Sequence, residues 1–104
     1  MAAKIDKGRK TKATYDEATA FFGSIVGKAV QSIRQERVGR KELANRIGLI
    51  DENIRNMERN RRKMRVADLI VLSMGMEKKP EVVFAEIMRR FSEEISNWRD
   101  RTGY

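Results

Sequence analysis

Apolar residues return every three or four positions along most of this chain, and each such stretch is bounded by a start or stop signal. Thr14 followed by Asp16 and Glu17 has the form of a capping box and predicts a helix from about Tyr15. On it Phe21, Phe22, Ile25, Val26, Ala29, Val30 and Ile33 recur at helical spacing up to Arg34. Gly23 and Gly27 weaken its continuity by about 1 kcal/mol each relative to Ala, so one long helix and two short ones both remain open.

After a turn at Val38-Gly39, a short helix is predicted over 40–47, with Leu43, Ala44 and Ile47 on one face. Gly48 stands where the chain must turn sharply, and a second helix follows over 51–59, whose Ile54 and Met57 meet the first together with the linking Leu49. Ala44 is small where the two backbones would cross. The stretch 66–76, VADLIVLSMGM, has no clear polar stripe, so it must be covered on several sides, by this chain or by a second copy.

Pro80 then opens a last helix carrying Phe84, Met88, Phe91, Ile95 and Trp98 in a heptad-like seam flanked by Val83 and Ile87. Phe84 and Ile87 are expected to complete the core. Phe91, Ile95 and Trp98 either fold back on the first helix or pair with a second copy, and a homodimer through these three residues is the expectation. The pattern as a whole is all-α, with five or six helices. It divides into a flexible basic arm (1–13), a helical domain (14–90) and an extension of the last helix (91–104).

Charge gives this framework a direction. The chain has 23 Lys and Arg against 15 Asp and Glu, a net charge of +8. Residues 1–65 hold 17 basic and 8 acidic side chains, whereas 66–104 hold 6 and 7. An electropositive front favours a polyanionic partner, either nucleic acid or an acidic membrane surface. In the arm Arg9, Lys10 and Lys12, with Lys4 and Lys7, are candidates to follow a phosphate backbone or enter a minor groove.

The sequence contains no Cys and no His, which removes disulfides, thiol nucleophiles and the usual zinc ligands together. No paired carboxylates, glycine-rich phosphate loop or nucleophile elbow is visible, so neither an enzyme nor a cofactor or small-molecule substrate is expected. The N-terminus lacks a signal-peptide core and there is no apolar run of about 18 residues. The expected location is cytoplasmic and nucleoid-associated.

Leu43-Ala44, then Ile47-Gly48-Leu49, then Ile54, then Glu58 stand at the spacing of the helix-turn-helix of Cro and phage-repressor proteins, the Xre family, which this stretch resembles. VADLIVLSMGM followed by PEVVFAEI resembles the fourth and fifth helices of the same lambda-repressor-like domain, so the likeness covers roughly residues 23–88. It implies a repressor-like regulator of phage or bacterial type that reads the major groove of double-stranded DNA with the helix 51–59, commonly as a homodimer on a near-palindromic site.

Glu52, Asn53, Arg55 and Asn56 are then the groove-facing candidates. Arg55 suits guanine, Asn56 adenine and Glu52 cytosine, with Asp51 turned inward as a cap. Arg40, Lys41, Arg59, Arg61, Arg62 and Lys63 would hold phosphates. The resemblance also pairs Arg34 with Glu58. The chain departs from the family's usual Ser or Thr caps, having Gly39 and Ile50 there, and Asn60 and Met64 stand where Gly and Pro are common after the recognition helix. The alternative is a protein-interaction module, such as an antitoxin or a phage regulator, that binds a partner protein through the C-terminal helix. RNA binding is disfavoured by the lack of an aromatic stacking platform.

Overall fold

A computed structural model describes residues 14–102; the arm residues Arg9, Lys10 and Lys12 lie outside this range. The chain starts α1 (Tyr15–Gln35) at Thr14, whose hydroxyl accepts from the Glu17 amide at 3.1 Å while the Glu17 carboxylate accepts from the Thr14 amide at 2.8 Å. This reciprocal cap satisfies two otherwise orphaned donors.

The helix runs unbroken through both glycines. Gly27 is buried where α1 crosses the end of α3 (Asp51–Glu58), and a Cβ there would run into the Glu58 carbonyl. A Cβ on Gly23 would meet the side-chain oxygen of Asn60 at 2.7 Å. The two glycines thus allow another segment to approach closely, and that packing offsets their poor helix propensity.

Before α3 comes α2 (Arg40–Ile47), and the turn between them is closed by Gly48 at φ 79°, ψ 26°, a left-handed conformation in which a Cβ is strained. The Leu49 amide donates to the Ala44 carbonyl at 2.8 Å, which satisfies one of the last carbonyls of α2. Two further helices complete the domain: α4 (Val66–Gly75) and α5 (Pro80–Thr102). In all, five helices and no strand occur among the described residues.

Helix α1 packs on α3 and α5, α2 packs on α3 and α4, and α4 packs on α5. All five contribute to one core. It holds Val30 and Ile33 from α1, Leu43 and Ala44 from α2, Ile54 and Met57 from α3, Leu72 from α4, and Val83 and Ile87 from α5. Each large side chain buried here contributes about 1.5–3 kcal/mol relative to exposure. Gly75 lets α4 sit tightly on α2, since a Cβ on it would lie 2.6 Å from both Ile47 and Leu43. Arg46 donates to the Gly75 carbonyl at 2.7 Å and Arg37 to the Glu77 carbonyl at 3.0 Å, tying the end of α4 to α2 and to the turn after α1.

One expectation needs correction. The inward stripe of α5 is Val83, Ile87, Phe91 and Trp98, while Phe84 is half-buried and Met88 is 54% exposed. The heptad pattern follows the aromatic residues, but a helix of 3.6 residues per turn packed against two neighbours presents the i, i+4, i+8 line of Val83-Ile87-Phe91 to the core. Within its own chain, helix α4 is covered on one side only. Leu72, Ser73 and Gly75 face in with Leu69 packed beside them, and Val66, Ala67, Ile70, Val71 and Met74 face out.

The end of α5 folds back along α1. Trp98 stacks on Phe21 with ring centroids 4.4 Å apart, Phe22 meets Trp98 at 5.7 Å and Phe91 at 5.6 Å, and Arg101 lies over Phe21. Phe91 and Trp98, expected at a dimer seam, therefore face α1 of their own chain, with Ile95 half-buried beside them. The reason is the length of α1, which carries Phe21 and Phe22 far enough back to meet them.

Candidate nucleic-acid interface

Helix α3 has two chemically distinct faces. Ile54, Met57 and Glu58 are buried against the domain. Glu52 and Arg59 are exposed, and Asn53, Arg55 and Asn56 are half-buried along the outward side.

What anchors α3 is the pair expected from the resemblance. Arg34 Nε donates to Glu58 Oε2 at 2.5 Å and Nη2 to Oε1 at 3.2 Å, with both side chains almost wholly enclosed. The remaining guanidinium nitrogen, Nη1, donates to the Val38 carbonyl at 3.2 Å. A buried, two-bonded pair of this geometry fixes the end of α3 on α1 and on the α1–α2 turn.

The N-terminus of α3 is built differently from the expectation. Ile50 occupies the cap position in an extended conformation and has no oxygen to offer; its own amide donates to Asn53 Oδ1 at 3.0 Å. Half of a capping box therefore forms, supplied by Asn53.

Asp51, expected as the cap, is the first helical residue instead. Its two oxygens accept from Arg40 at 3.1 Å and from Arg55 at 3.3 Å, so it bridges the start of α2 to the outward face of α3. This carboxylate on the outward side of α3 is partly neutralised by two guanidiniums. Arg55, with five N–H donors, keeps others free for a ligand.

Basic groups stand at both ends of α3. Arg40 and the exposed Lys41 lie at the start of α2, and Arg59, Arg61, Arg62 and Lys63 are all exposed after its C-terminus. The loop holding the latter is not slack. The Arg61 and Arg62 amides donate to the Asn56 carbonyl at 2.8 and 3.2 Å, and the Asn60 side chain donates to the Ala20 carbonyl at 3.1 Å. Asn60 adopts φ 57°, a left-handed conformation that Asn tolerates better than most residues, so it performs the chain reversal that Gly would. Next to the loop, hydrogen bonds from Arg65 hold the Asp68 carboxyl below the usual carboxylate range, so it stays ionised and offsets part of the positive charge.

Asp51 and Asn60 have contacts that sequence reasoning did not supply. Asp51 was recognisable as a short acidic side chain eleven positions from Arg40 and four from Arg55. The signal at Asn60 was its place two residues past the end of α3, where glycine is common.

Among the described residues no group of His, Cys, Asp and Glu is placed to hold a metal ion. None of the described helices is long and apolar enough to cross a membrane. Comparison of the chain with models of known families, with curated proteins and with solved structures finds no significant match.

Proposed function

We propose that this chain is a sequence-specific, double-stranded DNA-binding regulator of the Cro and repressor type, and that α3 enters the major groove. The observation that supports this most is the two-faced character of α3. A rigidly anchored inner face leaves Glu52, Arg55, Asn56 and Arg59 on the outside, between basic residues at either end.

A helix held in this way presents planar donor groups at fixed positions, as the reading of base edges requires. Arg55 is assigned to guanine and Asn56 to adenine. Glu52 accepts from cytosine. Asn53 has its oxygen engaged by Ile50, so it offers only its amide N–H groups. Arg40, Lys41, Arg59, Arg61, Arg62 and Lys63 are assigned to phosphates, where they set register without reading sequence.

The test is selection of bound sequences from a random DNA pool, followed by titration of the winner against scrambled DNA. The selected site should bind tighter by about 10³-fold or more, with a steep fall in affinity as salt rises. Equal affinity for selected and scrambled DNA would reject the proposal.

Single variants separate the two kinds of contact. Arg55→Ala and Asn56→Ala should each weaken binding to the selected site by about 1–3 kcal/mol and relax preference at one base pair. Lys63→Ala should weaken binding to all sequences alike and lower the salt slope by about one unit. Gel-shift titrations over a range of salt concentrations measure both effects.

A further inference from the structure

Asp51, Arg40 and Arg55 meet where α3 begins. Asp51 accepts from Arg40 Nε at 3.1 Å through Oδ1 and from Arg55 Nη2 at 3.3 Å through Oδ2. The carboxylate does not serve as a cap, since Asn53 takes the Ile50 amide. An acidic residue in the first turn favours the helix dipole, but Glu52 in the same turn supplies that as well. On a face assigned to a polyanion, a negative charge repels the ligand. Asp51 therefore has to act through one of the groups it holds.

The bridge is also more enclosed than its counterparts elsewhere on the surface. The Asp51, Arg40 and Arg55 side chains are 28%, 29% and 35% exposed. Among the described residues, every other ion pair outside the core has a partner at least 40% exposed. Water and salt screen this bridge less, so its geometry is held more firmly. Arg40 opens α2 and fixes the carboxylate from one side, so that Oδ2 meets Arg55. Of the three guanidinium nitrogens of Arg55 only Nη2 is engaged among the described residues, which leaves the donors of Nε and Nη1 open.

Two neighbours on α3 compete for the direction of Arg55. Glu52, three positions before it, is exposed and stands at a spacing that attracts an arginine, and Arg59, four positions after it, repels it. Arg55 pairs with Asp51 instead. An Arg55 drawn to Glu52 would occupy the carboxylate assigned to cytosine and turn its own forked donors away from guanine.

We propose that Asp51 is a positioning residue that aims Arg55 at guanine and touches no base itself. By holding Nη2 it keeps the guanidinium off Glu52 and restricts the side chain before DNA arrives, so less freedom is lost when the forked contact forms. The carboxylate lowers general attraction to DNA and raises discrimination at one base pair. This assignment rests on the DNA-binding reading and deepens it at one residue.

The experiment titrates wild type, Asp51→Asn, Arg55→Ala and the double variant against three duplexes. These are the selected site, that site changed at the base pair where Arg55→Ala relaxes preference, and scrambled DNA. Asn keeps the size of Asp51 but loses its charge and one of its two acceptor oxygens. Asp51→Asn should bind scrambled DNA about twofold or more tighter, because a negative charge has gone. Its ratio of affinities for the selected and changed sites should fall by about three- to tenfold. A variant that had merely lost stability would bind all three duplexes more weakly in proportion and leave the ratio untouched. A ratio that Asp51→Asn does not lower overturns the proposal and leaves the DNA-binding reading standing, as does an Arg55→Ala protein that relaxes preference at no position. Preference at that pair that survives Arg55→Ala and disappears in the double variant would make Asp51 a reader itself, which also overturns it. Equal affinity of wild type for selected and scrambled DNA removes the proposal and the DNA-binding reading together.

Discussion

Glu58→Ala lowers the thermal midpoint by about 12–40 °C, the largest single-residue effect expected in this protein. Removing the carboxylate leaves the Arg34 guanidinium enclosed and facing nothing charged, with only the Val38 carbonyl still bonded to it. Breaking a buried pair from one side costs about 3–5 kcal/mol, and each kcal/mol corresponds to about 4–8 °C in a domain of this size.

The loss is not a measure of what the pair adds. Replacing both partners, as Arg34→Met with Glu58→Leu, should recover much of the stability, because the desolvation of two charges is then avoided. Circular dichroism melts of the single and double variants test this. A Glu58→Ala midpoint within about 2 °C of wild type would show that the pair is not buried as described.

Gly27→Ala is expected to destabilise by about 2 kcal/mol or more, against the intrinsic preference of a helix for Ala, which favours the variant by about 1 kcal/mol. The contact decides the sign. The new methyl group meets the Glu58 carbonyl, which is backbone and cannot rotate away. Relief requires α1 and α3 to separate, which also stretches the Arg34–Glu58 bonds.

Gly23→Ala is the matched comparison. It gains the same propensity but meets only the end of the Asn60 side chain, which has room to swing aside. Urea denaturation of the two variants should therefore place Gly23→Ala well above Gly27→Ala. Equal stabilities would mean that α1 and α3 do not approach at Gly27.

Much of the fold was legible because local chemistry and packing agree there. Thr14, Pro80 and Gly48 mark helix limits by mechanisms that act within a few residues, and the limits fall where those residues stand. Leu43, Ala44, Ile54 and Met57 were likewise identified as core by their spacing.

What sequence reasoning missed depends on partners far away in the chain. Gly27 is a weak helix former when α1 is considered alone, and a close-approach site once α3 lies across it. The phase of the α5 stripe could not be fixed by an aromatic pattern, because Phe21 and Phe22, more than sixty positions earlier, determine which way Phe91 and Trp98 face. Asp51 was assigned by its nearest neighbours as a cap, whereas Arg40 across the turn determines its role. In the candidate interface, the exposure of Glu52 follows from helical periodicity, and that of Arg59 and the basic loop from their charge. The bonds that stiffen that loop do not, since they run to Asn56 and Ala20 from residues that look solvent-directed.

The aromatic contact between the first and last helices also bears on how the chain acquires its shape. Closing α5 onto α1 joins segments from opposite ends of the described residues, the loop with the greatest entropy cost to close. Contacts among α2, α3 and α4 span far shorter stretches and are expected to form first. Trp98→Ala should then leave the refolding rate nearly unchanged and speed unfolding, which stopped-flow fluorescence or circular dichroism can resolve; a refolding rate that falls in step with stability would place this contact in the nucleus instead. On this ordering α2 and α3 come together while the ends are still loose, and the clasp of α5 on α1 sets how long the finished domain lasts.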